Sequence, residues 1–122
     1  MIGRLYEVVF DCPEPRTLAD FYAELTGLDV KYADDGWVTL GKGDDVRLAF
    51  QRAPGYQPPQ WPDEGSSMQA HVDVFVADLD EAEQKVLALG AKLLSADEEE
   101  VRVYADPAGH PFCLCLDNPE AP

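Results

Sequence analysis

A chain of 122 residues, 46% of them hydrophobic, can bury one core and fits one domain. Its 24 acidic residues against 9 basic ones leave a formal net charge of −15, which excludes a nucleic-acid partner, because phosphates call for clustered Lys and Arg. No apolar run approaches a membrane span, and the opening Met1-Ile2-Gly3-Arg4 lacks the layout of a secretory signal, so the expected location is the cytoplasm, with no membrane partner.

Residues 4–11 read as a strand. Pro13 and Pro15 then mark a turn, Pro15 being suited to the first turn of a helix, where its missing N–H costs nothing. Leu18, Phe21, Tyr22 and Leu25 follow at helical spacing, and Gly27 stops that helix. Three short strands are expected near Asp29–Tyr32, Trp37–Leu40 and Val46–Gln51, with turns at Asp34-Asp35-Gly36 and 41–45. Residues 52–67 are too rich in proline for a helix or a central strand, yet carry Tyr56 and Trp61, and long loops with aromatics often cover a site. Met68–Val76 alternates as a strand. Asp78 then reads as an N-cap with Glu81 three residues on, and Leu79, Ala82, Val86 and Leu89 form a helical stripe ended by Gly90. Strands near Lys92–Ser95, Val101–Ala105 and Phe112–Leu116 close the chain, the last two joined by the turn Asp106-Pro107-Ala108-Gly109.

The order strand, helix, three strands thus occurs twice. Glu7 corresponds to His71 at a shift of 64, and Gly27 to Gly90 at a shift of 63. The expected organisation is one domain over residues 1–122, with repeat one at about 3–52, a linker at 53–67 and repeat two at about 68–117. Strand alternation puts Tyr6, Val8 and Phe10 on one face and Glu7 and Val9 on the other. In the strand that opens the second half, Ala70, Val72, Val74 and Val76 oppose Gln69, His71, Asp73 and Phe75. The continuous apolar sets should face the helices, leaving Glu7, His71 and Asp73 on the sheet faces turned away from them. The odd number of cysteines, Cys12, Cys113 and Cys115, reads as free thiols.

These segments resemble the vicinal oxygen chelate superfamily of glyoxalases, bleomycin-resistance proteins and ring-cleaving dioxygenases, in its glyoxalase-like branch. In the first half the resemblance rests on Leu5 to Asp11, Leu18-Ala-Asp-Phe-Tyr22 and Leu25-Thr-Gly-Leu28. In the second it rests on Gln69-Ala-His-Val-Asp-Val-Phe-Val-Ala-Asp-Leu79, Ala88-Leu-Gly-Ala91 and, most informatively, Asp106-Pro-Ala-Gly-His-Pro-Phe112. It implies an α+β fold in which two βαβββ repeats form a curved mixed sheet around a cleft for a small-molecule ligand, usually as a homodimer. It also implies a divalent metal held by His, Glu or Gln, with the ligand positions falling on Glu7, Gln51 and His71, and on Cys113 where the family carries a carboxylate. Such a donor set suits Zn, Ni, Mn or Fe. Glu7 and Cys113 depart from the usual residues, which counts most against iron-dependent ring cleavage.

The resemblance supports three activities. One is a metal-dependent lyase or isomerase of glyoxalase type, with Glu7, His71 and Asp73 as catalytic residues. Another is a metal-free protein of the bleomycin-resistance kind that sequesters a cationic ligand, in keeping with the charge of −15. The third is a metal-free acid–base enzyme using Glu7 and His71, for which a desolvated carboxylate would be a suitable base. Trp37, Phe50, Tyr56, Trp61 and Phe75 are the candidate pocket-lining aromatics, Trp61 at the mouth. Asp73 has a second reading as the group that orients His71, and Cys113 as a packed core thiol.

Overall fold

Alternation and helical spacing give the element order strand, helix, three strands, twice over. This computed structural model describes residues 1–116, so the expected end of the second repeat at residue 117 lies outside the described residues. The chain divides into two units, Met1–Gln57 and Pro58–Pro122.

In the first unit, β1 (Glu7–Cys12), α1 (Pro15–Thr26), β2 (Asp29–Ala33), β3 (Trp37–Gly41) and β4 (Arg47–Arg52) form a four-stranded sheet in the order β1-β4-β3-β2. β1 runs parallel to β4, and the other pairs are antiparallel. Pro15 opens α1, and Gly27 closes it at φ 76°, where its N–H reaches the Ala23 carbonyl at 2.9 Å. The buried stripe Leu18, Ala19, Phe21 and Tyr22 packs α1 on the sheet. The rings of Phe10, Tyr22 and Phe50 stack at centroid distances of 5.5 to 5.8 Å. Each large side chain buried here contributes about 1.5–3 kcal/mol.

The second unit repeats the plan with β5 (Val72–Val76), α2 (Leu79–Ala88), β6 (Lys92–Ser95), β7 (Val101–Ala105) and β8 (Pro111–Leu116), in the order β5-β8-β7-β6. Again the first and last strands are parallel. The side chain of Asp78 accepts the Glu81 N–H at 3.0 Å, capping α2. The Tyr104 ring stacks on Phe112, and its hydroxyl donates to Glu83 of α2 at 2.8 Å. Val72, Val74, Phe112 and Leu114 therefore share the helix-facing side with Tyr104, as the alternation requires.

Two strands begin later than their patterns suggest: β1 at Glu7, not Arg4, and β5 at Val72, not Met68. β8 itself begins at Pro111, which the register sets opposite His71, so residues 68–70 run past its end, and Gln69 turns the chain with φ 67°. Among the described residues no helix is long and apolar enough to cross a membrane.

Candidate functional site

On the face of the second sheet turned away from α2, β5 and β8 place Asp73 directly beside Cys113. His71, just before β5 and two residues from Asp73, joins them. One ligand atom from each of the three lies within 4.8 Å of the others. Asp73 is the hub: its carboxylate is 3.2 Å from His71 Nε2 and accepts a hydrogen bond from the Cys113 thiol. Burial, then the Asp73 charge, push that thiol up to about 12, so without a cation beside it Cys113 stays protonated at neutral pH. Imidazole nitrogen, carboxylate oxygen and thiol sulfur are together a donor set for Zn²⁺, and the three residues fit such an ion. Spacing alone paired His71 with Asp73, and the resemblance put Cys113 in one set with His71; the register that sets Asp73 directly beside Cys113 is added by the fold.

Of the expected set of Glu7, Gln51, His71 and Cys113, the second unit brings His71 and Cys113 together, and register compares the two halves. Shifting by 64, the pair Asp73–Cys113 corresponds to Val9–Ala49, which carries no donor, and Gln51 corresponds to Cys115. Gln51 lies two residues farther along its strand and donates from Nε2 to Asp11 at 2.8 Å, an acidic neighbour that sequence reasoning did not single out. Glu7 is half-buried at the start of β1, next in register to Arg47. Arg47 is committed elsewhere: it lies over the Tyr6 ring at 5.2 Å and donates to its hydroxyl at 3.0 Å.

The aromatics separate. Phe50 is fully buried against Tyr22 on the α1 side, because it shares the strand face of Leu48 and not that of Gln51. Trp37 lies on the opposite face, in register with Gln51, and donates from Nε1 to Thr39 at 2.8 Å. Phe75 is 62% exposed on the face that carries Asp73. Tyr56 is half-buried, its N–H turned to the Ala53 carbonyl. Trp61 lines a hollow of about 310 Å³ with Pro58, Pro59, Lys92, Ala105 and Pro107. Gly109, at φ 93°, lets this strap close in, since a Cβ there would come within 2.6 Å of Pro58. His110 helps fix the same turn through its backbone, its N–H donating to Asp106 Oδ1 at 3.0 Å.

The glyoxalase-like domain family matches residues 7–115, nearly all of the described chain. The chain belongs to that family. With it comes the vicinal oxygen chelate superfamily, whose α+β fold the solved structures share with this glyoxalase-like chain. A glyoxalase/bleomycin resistance protein/dioxygenase family enzyme from Burkholderia phytofirmans PsJN is similar over 92% of this chain and 97% of its own, with TM-score 0.71 and 18% identity. The fosfomycin resistance protein FosX from Mesorhizobium loti is similar over 98% and 95%, with TM-score 0.73 and 16% identity. A bleomycin-binding protein from Streptomyces verticillus, solved with copper(II)-bleomycin, is similar over 97% and 100%, with TM-score 0.56 and 14% identity. No curated protein sequence matches the chain.

Proposed function

We propose that this glyoxalase-like protein binds a small organic molecule on the α2-distal face of its second sheet, beside a divalent metal, and acts on it as a lyase or isomerase. The observation that carries this reading is the convergence of His71, Asp73 and Cys113. These three residues would hold the ion, and zinc suits them best, with nickel, manganese and iron as competitors. Bound there, it would supply Lewis acidity to polarise a carbonyl. Asp73 holds His71 and Cys113 in place and is the carboxylate we assign to proton transfer.

Zinc titration of chelator-stripped protein tests this. We expect one ion per chain, release of about one proton as the Cys113 thiol ionises, and weakening of at least about tenfold in both His71→Ala and Cys113→Ser. No saturable binding, or binding indifferent to both substitutions, refutes the metal reading. The charge of −15 then favours a metal-free protein that sequesters cationic compounds, and an acid–base enzyme using Glu7 and His71 is the remaining version.

We also propose a cytoplasmic homodimer. The thiols of Cys12, Cys113 and Cys115 suit a reducing compartment. For the dimer, β1 ends its sheet with Val8 and Val9 exposed and Leu5 and Tyr6 exposed just before it, an edge suited to a second copy of the chain.

A further inference from the structure

The hollow beneath Trp61 has a composition of its own. Pro58, Pro59, Trp61 and Pro107 offer flat, stiff apolar surfaces, and Leu94 and Ala105 add aliphatic ones. Two charged residues line it. Asp106 is 4% exposed, and its carboxylate is turned inward to its own loop, accepting from Ala108 N at 2.8 Å and His110 N at 3.0 Å. Lys92 is exposed and projects from the edge strand β6, so the accessible charge of the lining is positive in a chain whose net charge is −15. At about 310 Å³ the hollow lies at the lower end of small-molecule pockets, about 300–1,000 Å³.

Register ties the hollow to the cluster. Lys92 pairs with Ala105, and Ala105 with Pro111, in one row across the sheet. Ser95, Val103, Cys113 and Asp73 form the next row on the same face. The two rows are two residues apart along β7 and β8, roughly 7 Å, and three apart on β6, across its register shift. A ligand in the hollow thus has one end a single row from Cys113.

We infer that the hollow binds the ring of a small aromatic carboxylate, with Trp61 and the prolines against the ring and Lys92 pairing with the carboxylate. This assigns a ligand class to the small-molecule reading above and rests on it, but it requires no metal. The ring supplies contact area at low entropic cost. Lys92, an exposed charge, sets preference more than affinity.

The probe is 1-naphthoate, titrated in chelator against the intact chain, beside neutral 1-naphthylmethanol and cationic 1-naphthylmethylammonium. Binding is read by calorimetry and by the NMR shift of the Trp61 indole N–H. We expect saturable, submillimolar binding of 1-naphthoate that moves the indole resonance. Trp61→Ala should weaken it about tenfold, and Trp61→Phe should largely restore it. Lys92→Gln should reduce the preference for carboxylate over alcohol by about two- to fivefold while leaving the alcohol's affinity unchanged. Absent binding, binding indifferent to Trp61→Ala, or the ammonium compound binding as well as the carboxylate overturns the inference. Because no metal is present, zinc titration can succeed or fail independently of these outcomes.

Discussion

Cys113 shows how one neighbour changes a side chain's chemistry. From the sequence it reads as a packed thiol in a position where relatives keep a carboxylate. Beside Asp73 it becomes a hydrogen-bond donor whose ionisation is opposed by burial and by the adjacent charge. In the unfolded chain the thiol ionises near its ordinary value of 9.0, while in the fold it holds its proton to about 12. Its contribution to stability is therefore complete below about pH 9 and is lost as pH rises from there toward 12. Urea denaturation at pH 8, 9.5 and 10.5 should show a steeper alkaline loss of stability in the natural protein than in Cys113→Ser. At pH 7.5 the native thiol should resist iodoacetamide, because its thiolate is scarce.

The two helices are held by different devices, both visible in local sequence. α1 depends on Pro15 to start and Gly27 to stop, with no side-chain cap at Glu14. α2 depends on Asp78 and on ties to β7: Arg102 reaches Asp80 at 2.8 Å and Glu83 at 3.5 Å, and Tyr104 reaches Glu83. Asp78→Ala should cost about 1 kcal/mol, read as a lower denaturation midpoint at unchanged slope. The expected capping box is half made: the Glu81 side chain pairs with Lys85 at 3.2 Å. The edges also differ. β2 and β6 carry Lys31 and Lys92 and a register shift each, features that discourage strand addition. β1 and β5 have regular registers and no lysine, and β1 is the one preceded by exposed Leu5 and Tyr6.

At the scale of the assembly, that contrast makes β1 the edge to test. Sedimentation should give twice the monomer mass, and Val9→Lys, a charge placed on a 39% exposed position of β1, should shift the equilibrium toward monomer. A monomeric natural protein would remove the dimer proposal. The charge of −15 surrounds the molecule with a negative field, and Lys92 in the Trp61 hollow is a local exception to that field.

Much of this architecture was readable before any coordinates. Pro15, Gly27, Asp78 and Gly90 punctuate the helices, and period-two alternation assigns His71, Asp73 and Phe75 to one face, because both signals arise between residues close in the chain. Registers between distant strands leave no such trace. That Asp73 meets Cys113, 40 residues away, that Ala49 and not Gln51 matches Cys113, and that Phe50 turns into the α1 core all follow from how β4 and β8 slide against their neighbours. A slip of one residue would send every side chain of a strand to the other face, so only folding in three dimensions could bring the candidate donors His71, Asp73 and Cys113 together.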